Sequence, residues 1–166
     1  MELKFKVQTK IQKPVAEVFD AVYSPEKLSG YFTNGGASAP LDEGTTVEWA
    51  FADNPGDDKM KFPVVVKTMK KNELIELGWE GAKGLDTHVR MEFDAVGDET
   101  IVRISETGWR ETQDDLNSSY LNCMGWSHMI SALKAYVEYG IDLRKGAYGG
   151  LYSATEHHGT TAEAKG

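Results

Sequence analysis

The sequence predicts an α+β fold in which a curved six-stranded antiparallel sheet surrounds one long C-terminal helix, with two short helices after the first strand. Three observations carry this expectation. Apolar residues recur with a period of two in six segments between residues 3 and 106, most of them joined by short turns. Helical spacing interrupts that pattern early, behind Pro14 and again behind Ser24-Pro25-Glu26. A single long segment of helical period then closes the ordered part of the chain, from about Asp114 to Leu143.

In the first strand Leu3, Phe5, Val7, Thr9 and Ile11 alternate with Lys4, Lys6, Gln8 and Lys10, so one face is buried. Pro14 suits a first helical turn, and Val15, Val18, Phe19 and Val22 follow at helical spacing. Ser24, Pro25 and Glu26 supply a cap, a preset backbone angle and a favourable charge for a second helix carrying Leu28, Tyr31 and Phe32. Asn34-Gly35-Gly36 ends it, and residues 37 to 44 read as a loop. Val47, Trp49 and Phe51 mark the second strand, and a turn cluster runs from Asp53 to Asp58. The third strand lies near Lys61 to Lys70, and the fourth places Ile75, Leu77 and Trp79 on one face. Beyond the turn at Gly81 to Gly84, Val89, Met91 and Phe93 define the fifth, and Gly97-Asp98 leads into the sixth, Thr100 to Glu106. Short turns between neighbours favour an antiparallel meander.

The long helix begins with acidic residues and carries Trp126, Met129, Ile130, Leu133, Val137 and Ile141 as one stripe. At 1.5 Å per residue it would span roughly 43 Å. That exceeds the roughly 30 Å of a nine-residue strand, so the helix can cross the whole sheet. Residues 1–145 therefore read as one domain and 146–166, with Gly146, Gly149 and Gly150, as a flexible tail poor in apolar residues.

The 166 residues fit a single core. Lys plus Arg number 18 against 26 Asp plus Glu, and the resulting charge of −8 repels a phosphate backbone, which argues against nucleic acid as a partner. No apolar run approaches the roughly 18 residues a membrane span needs, so no membrane insertion is expected. A single cysteine, Cys123, and an N-terminal stretch without a charged-then-apolar leader predict a cytoplasmic protein.

Local catalytic motifs are missing: no Cys-x-x-Cys, His-Glu-x-x-His, phosphate loop or Gly-x-Ser-x-Gly occurs. Gly125-Trp126-Ser127-His128 falls inside the helix, where neighbours diverge by about 100°, so Ser127 and His128 are no nucleophile and base pair. His88, His128, His157 and His158 are scattered and read as solvated, so neither a metal nor another cofactor is expected. Cys123 reads as a small core residue. Glu106 is the informative polar position. Val102 and Ile104 set the buried parity of the last strand, and one more step of two places Glu106 on the same inward face. Such a carboxylate needs hydrogen bonds, a cation or a polar ligand. The plain alternative is that the strand ends there and Glu106 reaches solvent or a neighbouring Lys or Arg.

Several sequence blocks resemble a known family. Ile11-Gln12-Lys13-Pro14 with Val18-Phe19, Ser24 to Leu28, Val47-Glu48-Trp49, Glu106-Thr107-Gly108-Trp109, and Gly125-Trp126 leading to Leu133-Lys134 occur in an order similar to that of the family named for the activator of the heat-shock chaperone's ATPase. That family belongs to the SRPBCC, or START/Bet v 1-like, superfamily, and the resemblance covers about Leu3 to Arg144. It implies the helix-grip fold, which tends to leave a cavity between helix and sheet. Trp49, Phe51, Trp79, Trp109 and Tyr120, with Met91 and Met124, are core residues that would also line such a cavity, with Glu106, Tyr120 and Ser127 as its polar groups. The leading expectation is therefore a binding module for a small hydrophobic or amphipathic molecule. Two alternatives stay open: a cyclase-like enzyme with Glu106 and Tyr120 as acid and base, and a regulator that docks on a chaperone through its surface. The residues do not decide between a monomer and a homodimer.

Overall fold

The structure is a computed structural model and describes residues 1–54, 56 and 58–151. Most of the expected C-terminal tail, residues 152–166, thus lies outside the described residues, with His157 and His158. The elements follow in the order β1 (Phe5–Ile11), α1 (Val15–Tyr23), α2 (Pro25–Leu28), β2 (Gly36–Ala37), β3 (Thr46–Phe51), β4 (Met60–Lys70), β5 (Leu74–Ala82), β6 (Leu85–Val96), β7 (Glu99–Thr107) and α3 (Gln113–Tyr139). The sheet of the described residues has seven strands in the order β1-β7-β6-β5-β4-β3-β2, every pair antiparallel. From β2 to β7 it is the expected meander. β1 departs from it and pairs with β7, so the first and last strands are neighbours.

The seventh strand is β2, two residues long, where a loop was expected. Two residues are too few for an alternation to be read. What holds them is pairing of Gly36 with Ala50 and Ala37 with Trp49. Gly35 lets the chain approach so closely that a Cβ there would lie 2.8 Å from the Ala50 carbonyl. The second helix stops at Leu28, and Tyr31 and Phe32 follow it in turns, both buried.

Bulges between Val66 and Thr68 and between Glu80 and Ala82 bend β4 and β5. α3 crosses the sheet and packs on β1 and β5, with α1 also against it. Its stripe from Trp126 through Leu133 is buried as expected, but the helix ends at Tyr139, four residues early. Gly140 adopts φ 67°, the left-handed cap that glycine allows, and the chain turns away, leaving Ile141 and Leu143 exposed.

The start of α3 is fixed by side chains. Thr112 caps it, its hydroxyl accepting the Asp115 N–H at 3.2 Å. Asp115, itself buried, accepts the Arg110 backbone N–H at 2.8 Å and two guanidinium N–H groups at 2.7 and 2.8 Å. These bonds from Arg110 hold the Asp115 carboxyl below its ordinary value. A depressed carboxyl stabilises the fold above its ordinary range, and that contribution is lost as pH falls through the depressed value. Asp115→Asn is expected to cost about 1–2 kcal/mol at neutral pH. In urea melts across pH the gap from the parent chain should close under acid conditions.

Candidate functional site

Glu106 projects inward from β7, as its parity predicts, and is 0% exposed. Its neighbours are neutral donors. Oε1 accepts from the Thr87 hydroxyl at 2.6 Å, the Trp79 indole at 2.9 Å and the Asn122 amide at 3.1 Å. Oε2 accepts from the Trp126 indole at 2.9 Å and, at 3.3 Å, from the same Asn122 amide. Among the described residues it makes no ion pair. Burial pushes the carboxyl up from its ordinary value, and the bonds from Thr87, Trp79, Trp126 and Asn122 oppose that rise.

One side chain therefore ties β5, β6, β7 and α3 together. The arrangement needs Gly81, the residue inside the β5 bulge. A Cβ there would fall 2.1 Å from the Thr87 hydroxyl and 2.8 Å from Glu106 Oε1. Sequence reasoning took Gly81 for a turn residue, whereas it is the gap through which the carboxylate reaches its donors.

Beside this network lies a cavity of about 120 Å³. Five aromatic side chains in its wall form a closed circuit. Ring centroids are 5.2 Å apart for Phe32 and Phe51, 5.8 Å for Phe51 and Phe62, and 5.8 Å for Phe62 and Trp79. They are 5.4 Å apart for Trp79 and Trp126 and 5.7 Å for Trp126 and Phe32. Such separations suit edge-to-face and offset packing. α3 supplies the polar part of the wall through Ser118 and Asn122, one turn apart. Gly125 faces the same space, and a Cβ built on it meets no atom within 4 Å. Exposed Leu121 and Met124 form part of the rim.

The chain beyond α3 completes the wall. The Arg144 guanidinium bonds both oxygens of Asp53, at 2.9 and 2.7 Å, and lies 4.7 Å from the ring centres of Phe51 and Tyr148. Tyr148 stacks on His128, with its hydroxyl 3.0 Å from Nδ1, and the Gly150 N–H donates to Asn54 at 2.7 Å. Residues 141–151 are thus held to the body by an ion pair, ring contacts and hydrogen bonds.

Of the nine residues singled out in the sequence, Phe51, Trp79 and Met124 line the cavity. Trp49 is buried behind the circuit, with ring centroids 5.5, 6.1 and 6.4 Å from those of Phe32, Trp79 and Trp126. Met91 is core, and Trp109 is buried away from the cavity wall. Glu106 sits behind Trp79, Asn122 and Trp126, which stand between it and the cavity. Ser127 turns its hydroxyl to the Cys123 carbonyl at 2.8 Å. Tyr120 is 63% exposed. It is two residues, about 200° of helix, from Asn122, so it cannot face the carboxylate that Asn122 faces. The pairing of Glu106 with Tyr120 as acid and base is therefore corrected. His128, expected to be solvated, is exposed yet lies on the cavity rim against Tyr148. No group of three or more His, Cys, Asp or Glu among the described residues could hold a metal ion. No helix among them is long and apolar enough to cross a membrane.

Sequence reasoning missed Asn122, Gly125 and the Arg144–Asp53 pair. A signal for the first existed: Ser118, Asn122 and Trp126 are spaced by four and continue the apolar stripe toward the helix start. Nothing local links Arg144 to Asp53, which are 91 residues apart.

An antiparallel sheet crossed by a C-terminal helix, with a cavity between them, defines a helix-grip protein of the SRPBCC class. Residues 12–138 match the family described as activator of Hsp90 ATPase homolog 1-like protein, and the chain belongs to that family. Among proteins of curated function, none matches. Solved structures share the fold. DynU16, from the dynemicin biosynthetic locus, superposes with TM-score 0.71 at 20% identity over 86% of this chain and 50% of its own, so this chain spans about half its length. SSP2350 from Staphylococcus saprophyticus gives 0.70 at 22% identity over 86% and 97%. The Aha1 dimer from Colwellia psychrerythraea gives 0.66 at 20% identity over 83% and 98%.

Glu106→Ala leaves the Trp79 and Trp126 indole donors unpaired in the interior, while Thr87 and Asn122 keep long bonds to the Trp79 and Gly81 carbonyls at 3.4 Å, and is expected to cost about 2–4 kcal/mol. Glu106→Gln keeps the shape but turns an N–H group toward a donor, and should cost about 1–2 kcal/mol. With its value raised, Glu106 holds its proton more tightly in the folded chain. The advantage of the parent chain over Glu106→Gln should therefore shrink as pH rises from the ordinary glutamate range through the raised value. Denaturant melts of both chains across that range check the sign.

Proposed function

We propose that this protein binds a small, mainly apolar molecule in the aromatic cavity between α3 and the sheet, and that Glu106 holds the cavity wall in shape without reacting. The observation that supports this most directly is Gly125. A glycine in a helix interior costs about 1 kcal/mol relative to alanine. Gly125 is exposed where it borders the cavity, and no neighbouring backbone demands it, because the space where its Cβ would sit is open. What it leaves is room in the wall. The carboxylate argues in the same direction, since its oxygens already accept five hydrogen bonds and no reactive partner faces it.

Gly125→Ala is expected to stabilise the fold by up to about 1 kcal/mol, by helix propensity alone. Gly125→Phe should fill the cavity while the helix stays intact. Toluene, followed by tryptophan fluorescence, should give a saturable change with the parent chain that Gly125→Phe abolishes without loss of cooperative unfolding. Equal responses from both chains would refute cavity binding.

A second reading draws on the family and on Tyr120, Leu121 and Met124, apolar side chains exposed together on the first half of α3. They would form a docking face for a chaperone. Stimulation of Hsp90 ATPase turnover by the parent chain, reduced at least threefold in Tyr120→Ser, would support that reading, and no stimulation would remove it.

A further inference from the structure

We propose that the cavity selects a compact, uncharged aromatic molecule carrying one hydrogen-bond donor, a phenol being the simplest case. The inference rests on the cavity-binding reading and names its ligand class.

Size comes first. About 120 Å³ is smaller than the roughly 300 Å³ at which pockets for drug-sized ligands begin, and comparable with the roughly 150 Å³ cavity that takes up benzene. The space suits one ring. Five aromatic side chains around it offer faces and edges for that ring.

The open polar valences decide the rest. The Asn122 side chain is oriented by its acceptors, because its amide N–H groups meet both Glu106 oxygens and the Gly81 backbone carbonyl, which accepts and never donates. Asn122 Oδ1 is left as an acceptor with no partner among the described residues. Ser118, one turn earlier on the same face, is 3% exposed and lines the cavity, and its hydroxyl likewise has no partner among the described residues. Both groups lie in the cavity lining rather than sealed in the core, and a ligand hydroxyl satisfies both at once by donating to Asn122 and exchanging a bond with Ser118.

Charge is excluded on both signs. An anion would find Arg144 already engaged through two bonds to Asp53, and would add to a chain of net charge −8. A cation would compete for the Phe51 face that the Arg144 guanidinium covers at 4.7 Å, and would meet its repulsion.

Calorimetric titration with p-cresol, toluene and 4-methylbenzoate tests this, because the three share a ring and a methyl group. p-Cresol should bind at least tenfold more tightly than toluene, and 4-methylbenzoate at least a hundredfold more weakly than p-cresol. Ser118→Ala, checked for unchanged cooperative unfolding, should weaken p-cresol at least fivefold. Equal affinity for p-cresol and toluene would overturn the donor assignment while cavity binding stands, and tightest binding of 4-methylbenzoate would overturn the exclusion of charge. If none of the three binds, the cavity-binding reading itself fails.

Discussion

A carboxylate buried without a counter-charge is the constraint around which this molecule is arranged. An isolated ionised group is too costly to hold in a protein interior, so Glu106 must be given donors from every side. They come from β5, β6 and α3, which fixes the distance and rotation of the helix relative to the sheet. Two of the four tryptophans, Trp79 and Trp126, have their indole planes set by this demand. The other two, Trp49 and Trp109, leave their indole N–H groups without a partner among the described residues and serve as bulk. With Trp79 and Trp126 held, Phe32, Phe51 and Phe62 complete the ring circuit. The cavity is thus a consequence of polar satisfaction as much as of apolar packing.

The same saturation supports the proposed binding reading over an acid–base one. A general acid or base needs at least one direction free toward a substrate. Glu106 faces away from the cavity behind three of its own donors, and the tyrosine that parity-free reasoning paired with it lies on the opposite side of the helix. The groups that do face the cavity with open valences, Ser118 and Asn122, suit recognition. Arg144 closes the wall through contacts that are polar or ring-based rather than through sheet pairing.

The fold was largely legible in the sequence because period-two and helical spacing are imposed by burial on one face. Parity carried as far as Glu106, whose inward direction follows from Val102 and Ile104 alone. Legibility failed where structure depends on closeness rather than period. β2 is two residues held by a partner strand, Gly81 is small because a carboxylate and a threonine meet there, and Gly140 stops a helix whose apolar stripe continues to Ile141. Within the site, bulky apolar residues were found readily but not sorted. Trp49 and Met91 are as apolar as Trp79 and Met124, and only the packing of the helix decides which of them face empty space.

The central claim is that Glu106 is a buried carboxyl gripped by indole and amide donors, and proton-resolved titration of that group tests it most directly. Carbon-13 labelling of glutamate side chains, read together with the indole N–H resonances across pH, should show the Glu106 carboxyl titrating above the ordinary glutamate range. The Trp79 and Trp126 indole signals should move at that same pH, while those of Trp49 and Trp109 stay still. A Glu106 carboxyl that titrates as an exposed glutamate does, with no response from either indole, would contradict the account.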